Sequence, residues 1–465
     1  MLSTELIQQF KTIVNEKYVF ADEETLQIYS HDETEKLSYL PSVVLKPRTA
    51  EEISAILKLC NEHKIPVTPR GAGTGLSGGA LPDLGGVVLS TERMNQIIEI
   101  DERNLQVITE PGVITEELQN AVKEKNLFYP PDPQSKGSCF IGGNIAENSG
   151  GPKAVKYGTV KDYVLNLEVV LPTGEIIWTG VNVIKNATGY NLTQLIVGSE
   201  GTLGIVTKIV LRLIPLPKYD LLMLVPFRSV EKAGEAVSAI FRAGFTPSAL
   251  ELVEINALKI TSDYVENKSI PVHDGIAAHL IIETDGNNQD VLMQEMEAIA
   301  TLLEGYDTEE IFFAEDAQQK EELWKLRRKT AEAVKLKGYT IEEDTVVPRA
   351  ELPALINGVK ALGIQHNFDV VCYGHAGDGN LHIRIHKEGV PNSYGNAEMT
   401  SILAELFKLV KTLRGTISAE HGIGLIQKTY MPIMFNDMQL NLMRGIKKVF
   451  DPNNILNAGK VFDMA

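Results

Sequence analysis

The stretch at residues 66–82, PVTPRGAGTGLSGGALP, constrains the fold most, because five glycines follow a predicted strand at 65–68. Residues 73–78 match G-x-G-x-x-G, which in a Rossmann fold opens a helix whose N-terminus binds phosphate. Here residues 78–86 hold four glycines and a proline, which oppose a helix. The segment therefore predicts a wide loop whose backbone N–H groups bind an anion; the alternative is a plain surface loop.

Two further glycine-rich segments lie in the same half of the chain. Residues 141–151 read IGGNIAENSGG and follow the proline-rich residues 129–133, and residues 198–204 read GSEGTLG before a predicted strand. Helices are predicted to begin after Thr49 and at Thr115, with strands at 87–89, 164–171, 175–178 and 205–213. Three glycine-rich segments within one domain predict that they surround one long ligand.

The composition excludes several classes of protein. Of the 465 residues, 61 are acidic and 44 are Lys or Arg, a formal net charge of −17 that argues against binding nucleic acid. Cys60, Cys139 and Cys372 form no CxxC pair for zinc or an iron–sulfur cluster, and so sparse a count is typical of a reducing cytoplasm. The N-terminus lacks a signal-peptide pattern, and no apolar run is long enough to span a bilayer. We therefore expect a cytoplasmic protein without a transmembrane segment.

A second domain is predicted after the proline-containing stretch at 214–218. Its strands, at 219–227, 249–254 and 277–284, alternate with helices at 229–243 and 287–304, which is typical of an α/β unit of βαβ type. Further helices are predicted near 316–337, 350–363 and 396–413. The sequence shows no internal repeat.

Residues 368–386, FDVVCYGHAGDGNLHIRIH, are typical of a β-hairpin, because Asp378-Gly379 lies between two apolar strands. A two-residue turn there pairs His375 directly with His382, with Cβ atoms roughly 4.5–5.5 Å apart. Two imidazoles at that separation can bind one divalent metal ion. The alternative is a pair of surface histidines in a polar hairpin.

A further segment near the C-terminus, SAEHGIG at 418–424, places a carboxylate beside an imidazole between small residues. Together with GHAGDGNLH, PRGAGTGLSGG, PPDPQSKGSCFIGGNIAENSGG and VGSEGTLGIVT, it resembles the FAD-linked D-2-hydroxyacid dehydrogenases. That family includes the glycolate oxidase D-subunit, D-lactate dehydrogenase and D-2-hydroxyglutarate dehydrogenase, within the vanillyl-alcohol oxidase/para-cresol methylhydroxylase flavoproteins. The resemblance runs from about residue 35 to the end of the chain.

The resemblance implies an α+β or α/β fold. A two-part FAD-binding domain of the vanillyl-alcohol oxidase type is combined with an α/β, ferredoxin-like substrate cap domain. In that fold the pyrophosphate lies on backbone amides of the first glycine loop, without a Rossmann helix. The expected bounds are 1–217 for the FAD-binding domain, 218–425 for the cap with its metal site, and 426–465 for a C-terminal segment that returns to the first domain.

The resemblance also implies which residues bind FAD: Arg70, Gly71, Ala72, Gly73, Thr74, Gly75, Leu76, Ser77, Pro131, Asp132, Ser135, Gly137, Ser138, Gly142, Gly143, Asn144, Asn148, Ser149, Glu200, Gly201, Gly204, Ile205, Val206 and Asn457. Some members of the superfamily tether FAD through a histidine just after the first loop's glycines, where this chain has Thr74. Cys139 does not match the position of a cysteinyl link. We therefore expect non-covalent FAD.

For the chemistry, the resemblance implies that His375, His382 and Glu420 bind a divalent metal, usually zinc, with Mn²⁺ or Fe²⁺ as alternatives. It implies that His421 is the catalytic base and that Arg327 binds the substrate's carboxylate. A metal chelated by the hydroxyl and carboxylate of a 2-hydroxy acid lowers the pKa of that hydroxyl. His421 would take the hydroxyl proton while the C2 hydrogen leaves as hydride to flavin N5.

The size of the substrate depends on one position. The 2-hydroxyglutarate members hold the distal carboxylate with a lysine, where this chain has Glu342, an acid that repels a second carboxylate. We therefore expect oxidation of D-lactate or glycolate to the 2-keto acid. The alternatives are a D-2-hydroxyglutarate dehydrogenase, a non-catalytic flavin-binding subunit of a larger oxidase, or an NADPH-dependent flavin reductase of cell-wall synthesis, which would lack the two-histidine hairpin.

Reduced flavin needs an electron acceptor, and this sequence contains no iron–sulfur ligands or haem motif. The resemblance implies a separate acceptor, either an iron–sulfur subunit or an electron-transfer flavoprotein, with quinone or oxygen as alternatives. Such a partner subunit would hold a cytoplasmic protein peripherally at a membrane. A homodimer is the other expected assembly.

Overall fold

The computed structural model describes residues 2–34, 36–266, 270–390 and 396–464, which form two compact units. Unit 1 comprises Met1–Ser149, Thr159–Leu216 and Glu420–Ala465, and unit 2 comprises Gly150–Gly158 and Pro217–Ala419. The short segment Gly150–Gly158, which we expected in the first domain, therefore belongs to unit 2. Across these described ranges, no helix combines the length and the apolar character that crossing a membrane requires.

The first sheet of unit 1 is largely parallel and has the order β1-β2-β4-β3. Its strands are β1 (Val19–Phe20), β2 (Val43–Leu45), β3 (Val67–Arg70) and β4 (Val87–Ser90). The helix Ala50–His63 connects β2 to β3, and Thr49 caps it by accepting a hydrogen bond from the N–H of Glu52. As predicted, one face of this helix is buried: Ile53, Ile56, Leu57 and Cys60.

Antiparallel strands make up the rest of the β-structure of unit 1. They are β5 (Ile97–Asp101), β6 (Gln106–Thr109), β7 (Leu127–Phe128), β8 (Val164–Val170), β9 (Ile176–Trp178), β10 (Ile205–Arg212) and β11 (Ile214–Pro215). Five of them form a sheet of order β5-β6-β10-β8-β9, and β7 pairs with β11. The other helices are Thr4–Val14, Glu23–Ile28, Thr115–Lys123, Ile141–Glu147, Leu192–Ile196, Met431–Met434 and Asp437–Phe450.

The C-terminal tail extends the first sheet at β3. Val67 donates its N–H to the carbonyl of Ile455 at 2.7 Å, and Asn457 donates its N–H to the carbonyl of Val67 at 2.9 Å. The buried Lys447 ammonium donates to the carbonyls of Thr202 and Leu456 at 2.8 and 2.7 Å. The tail therefore packs against the first sheet of unit 1.

Unit 2 is built on an antiparallel sheet of order β15-β12-β14-β13-β17-β18-β16. Its strands are β12 (Tyr219–Phe227), β13 (Ala249–Glu254), β14 (Ala278–Gly286), β15 (Phe312–Phe313), β16 (Ile341–Val346), β17 (Asp369–Gly374) and β18 (Asn380–His386). Its helices are Ala154–Tyr157, Val230–Arg242, Ile255–Val265, Gln289–Leu303, Ala317–Leu336, Leu352–His366 and Ala397–Thr412.

This sheet contains a repeat of topology that the sequence did not reveal. The order β15-β12-β14-β13 is that of a ferredoxin-like β-α-β-β-α-β module, here with the additional helix Ile255–Val265 between β13 and β14, which confirms the expected fold of the cap. The elements from β16 to Ala397–Thr412 repeat the succession β-α-β-β-α, with the mirrored order β17-β18-β16. The two modules meet where β13 pairs with β17. The predicted βαβ type was wrong in one respect, because β14 lies between β12 and β13 and runs antiparallel to both.

The hairpin between β17 and β18 differs from the predicted one. Tyr373, not His375, pairs with His382, because residues 376–378 form a 3₁₀ turn that lengthens the connection. His375 thus lies just past the end of β17, and the centroids of its ring and that of His382 are 5.5 Å apart. The direct cross-strand pairing was wrong, but the closeness of the two imidazoles was right.

The backbone conformation of this turn leads to a prediction about the thermal stability of the protein. Gly379 has a φ of +80°, and a Cβ added there would overlap the carbonyl oxygen of Val347. Gly379→Ala should lower the melting temperature by about 4–8 °C, since strain and overpacking together cost about 2 kcal/mol. Gly389→Ala is the control, because its φ is +74° but nothing lies within 4 Å of the added Cβ. Equal melting temperatures for the two variants in thermal unfolding would contradict the prediction.

Candidate functional site

The first glycine loop of unit 1 presents unused backbone donors. From Gly71 to Ser77, no backbone N–H donates a hydrogen bond to another described residue. The Arg70 side chain is 8% exposed and folds beneath Gly73, and its Nη1 atom has no hydrogen-bond partner in the described part of the chain. Consecutive N–H groups beside a buried guanidinium form a nest suited to an anion such as a phosphate.

The second glycine segment begins as a helix rather than a loop. Ile141–Glu147 is helical, and an added Cβ on Gly71 would lie 3.8 Å from the Cα of Gly143, so the two segments are neighbours. A Cβ added at Gly75 or at Gly143 would meet no atom within 4 Å. The open space at these two glycines, next to the unused N–H groups, fits a bound ligand.

Several predicted ligand residues also hold the framework together. Asn144 donates from Nδ2 to the hydroxyl of Thr115 at 2.6 Å, and the Asn148 side chain accepts from the N–H of Lys161 at 2.9 Å. Asn457 donates from Nδ2 to the carbonyl of Glu200 at 2.8 Å. These asparagines therefore have structural roles that do not depend on a ligand.

The remaining predicted ligand residues of unit 1 occupy three places. Gly201, Gly204, Ile205 and Val206 lead from Glu200 into β10, where added Cβ atoms on the two glycines would meet Pro69 and Val169. A second group lies next to the helix Thr115–Lys123, where Gln119 donates to the carbonyl of Pro131 at 2.9 Å: Pro131, Asp132, Ser135, Gly137 and Ser138. Gly142 and Ser149 belong to the second glycine segment, and the N–H groups of Gly142 and Val160 donate to Pro111 and Ser149 respectively.

Two buried carboxyl groups, Glu200 and Glu147, lie next to Gly422, and the sequence analysis missed the second of them. The Glu200 carboxylate accepts hydrogen bonds from the N–H groups of Ile423 and Gly424, at 2.8 and 2.7 Å. Burial, and then the nearby charge of Glu200, raises the pKa of Glu147 well above its usual range. Burial lowers the pKa of Lys460 to about 8. The only sequence signal for Glu147 is a charged residue inside a segment of small residues.

In unit 2, the two histidines lie on one face of the sheet. The register of β16, β17 and β18 places Tyr373, His382, Arg384, Glu342 and Asp344 on that face, because residues alternate along a strand. The Nδ1 atom of His382 lies 3.6 Å from Glu342 Oε1 and 4.0 Å from Asp344 Oδ1. Arg384 forms an ion pair with Glu342 and donates from Nε to the hydroxyl of Tyr373 at 3.2 Å.

A residue that the sequence analysis missed, Glu251, contacts two predicted site residues. Its Oε1 atom is 2.8 Å from His375 Nδ1, and its Oε2 atom accepts a hydrogen bond from Arg327 Nε at 2.7 Å. Glu251 is fully buried, and burial alone would raise the pKa of its carboxyl. The neighbouring groups His375 and Arg327 outweigh that effect and hold the pKa of this carboxyl below its usual range.

Acidic side chains surround the two imidazoles. Glu251 contacts His375, and carboxyl oxygens of Glu342 and Asp344 lie 3.6 and 4.0 Å from His382 Nδ1. Glu251 and Glu342 also pair with Arg327 and Arg384. Imidazole and carboxyl groups together are a suitable donor set for a divalent cation.

Glu420 and His421 lie in unit 1, since the boundary between the units falls at the Ala419–Glu420 peptide bond. The last residues of unit 2 are anchored on the histidine-bearing face. The N–H of Ala419 donates to Asp344 Oδ2 at 2.9 Å, and Ser418 Oγ donates to the same oxygen at 3.2 Å. Both Glu420 and His421 are partly exposed.

Two family models match the chain. The FAD binding domain matches residues 41–180, which include the first two glycine segments. The C-terminal domain of FAD linked oxidases matches residues 216–461, which include the histidine-bearing sheet. The anion nest and the open space beside it therefore belong to an FAD-binding domain.

The anion nest leads to a prediction about the affinity of the protein for FAD. In Gly75→Ala, the added Cβ enters open space with no protein atom within 4 Å, so folding should be kept while the affinity for FAD falls tenfold or more, about 1.4 kcal/mol. Titration of the apoprotein with FAD measures the loss. Gly445→Ala, whose added Cβ is equally unobstructed but lies on the helix Asp437–Phe450, should bind FAD like the wild type. Unchanged affinity in Gly75→Ala would contradict the assignment.

Solved structures share the fold. p-Cresol methylhydroxylase with substrate bound aligns with a TM-score of 0.81 over 99% of this chain and 96% of its own, at 19% identity. 4-Ethylphenol oxidase from Gulosibacter chungangensis aligns with a TM-score of 0.78 over 100% of this chain and 98% of its own, at 20% identity.

Curated relatives are similar along most of the sequence. The glycolate oxidase subunit GlcD of Bacillus subtilis is 40% identical over 94% of this chain and 92% of its own. A D-lactate dehydrogenase of Anaerostipes hadrus is 36% identical over 99% and 98%. The D-2-hydroxyglutarate dehydrogenase of Stutzerimonas stutzeri is 31% identical over 99% and 100%. The chain belongs to the FAD-linked oxidases, in the branch of the vanillyl-alcohol oxidase fold that contains the D-2-hydroxyacid dehydrogenases.

Proposed function

We propose that this protein oxidises a small D-2-hydroxy acid, D-lactate or glycolate, to the 2-keto acid, with FAD and a bound divalent metal. The observation that carries the proposal is the group around Glu251, in which an arginine and a histidine contact one buried carboxylate and a second histidine lies close by. The names of the relatives point to the same class of substrate.

Arg327 binds the substrate's carboxylate in this proposal. Its Nη2 atom is buried and has no hydrogen-bond partner among the described residues, and Glu251 fixes its Nε. A guanidinium held in this way can form a two-bonded contact with a carboxylate and orient C2 of the substrate.

His421 acts as the base that takes the proton of the C2 hydroxyl. Glu200 holds the backbone of the two residues that follow Gly422, which limits the movement of the loop carrying the imidazole. FAD supplies the hydride acceptor, so that the C2 hydrogen leaves with its electron pair and the hydroxy acid becomes a keto acid.

His375, His382 and Glu420 would hold the metal, zinc in preference to Mn²⁺ or Fe²⁺. The carboxyl groups that lie next to the two imidazoles support this assignment, and Glu420 follows directly on the anchored Ala419. A metal ion bound there would supply Lewis-acid chemistry that lowers the pKa of the substrate's hydroxyl.

The proposal of a monocarboxylate depends on Glu342. Its ion pair with Arg384 uses that cation within the protein and leaves an acid where a second substrate carboxylate would have to bind. The relative from Stutzerimonas stutzeri makes a D-2-hydroxyglutarate dehydrogenase the second candidate. The word subunit in the name of the Bacillus relative keeps a flavin-binding subunit of a larger oxidase as the third.

The electrons leave to a separate acceptor, an iron–sulfur subunit or an electron-transfer flavoprotein. Docking on such a subunit would place the protein at a membrane surface. Assembly as a homodimer is a further proposal that size measurements test directly.

A panel of hydroxy acids tests the reaction. Under anaerobic conditions, D-lactate or glycolate should bleach the flavin absorbance of the purified protein, and L-lactate and NADPH should not. D-2-hydroxyglutarate should be slower by about tenfold or more in kcat/KM, corresponding to about 1.4 kcal/mol. Removal of metal with a chelator should slow bleaching, and added zinc should restore it.

The same panel separates the candidates. Faster bleaching by D-2-hydroxyglutarate than by either small acid would favour the second candidate. A flavin that no hydroxy acid bleaches would contradict the proposed oxidation and favour the subunit.

Glu342→Gln tests the basis of the selectivity. The substitution removes the acid but leaves Arg384 charged, so kcat/KM for D-2-hydroxyglutarate should rise about 5–30-fold relative to D-lactate. Glu343→Gln is the control, since Glu343 is the next residue on β16 and faces the opposite side of the sheet. Steady-state kinetics with both acids gives the ratio. An unchanged ratio in Glu342→Gln would show that this carboxylate does not set the size of the substrate.

A further inference from the structure

Glu251 lies on β13, the strand of the first module that pairs with the second, and it contacts one residue from each of two other elements. We propose that Glu251 is a positioning residue that fixes both the ring of His375 and the guanidinium of Arg327, and so couples metal binding to substrate binding. This role rests on the proposed function.

The first half of the argument concerns the proton on His375. One oxygen of Glu251 forms an ion pair with Arg327, and a carboxylate in such a pair can only accept hydrogen bonds, so the 2.8 Å contact of the other oxygen places the proton on His375 Nδ1. A neutral imidazole protonated at Nδ1 keeps its lone pair on Nε2. Glu251 therefore selects the tautomer that offers Nε2 to a metal, which is the usual function of a carboxylate hydrogen-bonded to a metal-binding histidine.

The second half concerns Arg327. Its Nε–H donates to the other oxygen of the same carboxylate, at 2.7 Å, and its guanidinium carbon lies 5.4 Å from the centre of the Tyr373 ring. These contacts leave the outer edge of the guanidinium, with the unpartnered Nη2, to meet a carboxylate. Because the two oxygens of Glu251 are rigidly joined, a shift of one partner moves the other.

The geometry matches the chemistry of the substrate. In a 2-hydroxy acid the carboxylate and the hydroxyl are on adjacent carbons, so the group that binds the first and the metal that binds the second must keep a fixed separation. Glu251 contacts both Arg327, which would bind the carboxylate, and His375, which would bind the metal, so one side chain fixes that separation.

Glu251→Gln distinguishes this role from simple packing, because glutamine has nearly the same shape. If the amide oxygen accepts from Arg327, the amide NH₂ faces His375 and requires a proton-free Nδ1, which moves the proton to Nε2. If the oxygen accepts from His375, the NH₂ faces the Nε–H of Arg327, and two donors oppose each other. In either orientation of the amide, the variant loses one function: the metal-binding Nε2 of His375 or the fixed guanidinium of Arg327.

The matched control is Glu254→Gln. Glu254 is buried on the same strand, but it faces the other side of the sheet, where it pairs with Lys360 and accepts from the N–H of Cys372. Glu251→Asp is the second variant, because it keeps the charge but is too short to reach both partners.

Two measurements on the FAD-loaded protein test the proposal: zinc affinity by competition with a chelator, and kcat and KM for D-lactate and glycolate. Glu251→Gln should bind zinc about 10–100-fold more weakly or raise KM by a similar factor, and Glu251→Asp should be intermediate. Glu254→Gln should match the wild type in both.

The outcomes separate this inference from the proposed function. Zinc affinity and KM like those of the wild type in folded Glu251→Gln and Glu251→Asp would overturn the role of Glu251 even if the wild type oxidises hydroxy acids. Equal losses in Glu254→Gln would also overturn it, since they would indicate a general effect of a buried amide. A wild type that oxidises no hydroxy acid would contradict the proposed function. Weaker zinc binding in Glu251→Gln would then still support the proposal that Glu251 positions His375 for the metal. A wild type that binds no divalent metal would overturn that proposal.

Discussion

The pairing of β13 with β17 determines where the chemistry of unit 2 can lie. The two modules form one sheet through this contact, which pairs Leu252 with Gly374 and Val253 with Tyr373. Side chains on one face of β13 thereby come next to those of β17 and β18. Glu251 can reach His375 although 124 positions separate them. The reason is that β13, which carries Glu251, pairs with β17, which ends just before His375.

Unit 1 provides a different kind of site. There the important groups belong to the backbone, and their availability depends on what the loop lacks: side chains that would fill the space, and hydrogen-bond acceptors for its N–H groups. Such a loop needs rigid neighbours. β3 on one side, the helix Ile141–Glu147 on the other, and the tail that pairs with β3 supply them.

The sequence predicted local features well and distant contacts poorly. β12 and β13 have the predicted bounds, because apolar runs flanked by turn residues define strands of this length. The hairpin was off by two residues, because the 3₁₀ turn at 376–378 and a two-residue turn have the same glycine and aspartate signals.

The candidate site shows the same limit. His375, His382 and Arg327 stood out through their motifs, whereas Glu251, in the strand ALELVE, did not. Nothing in that strand indicates that its buried acid meets an arginine 76 positions away. The sequence did not reveal the repeated module for a related reason: the two modules share the order of their strands and helices but not a recognisable pattern of residues.

The division of the chain has a consequence for its synthesis. Residues 420–465 complete unit 1, yet they follow the whole of unit 2 in the sequence and are synthesised after it. Until Ile455 and Asn457 emerge, the edge of the strand that leads into the glycine loop lacks its partners. Unit 2 can assemble during translation, while the nucleotide-binding half must wait until residues 420–465 are made, so that a chain that stopped before them would lose the half that was made first.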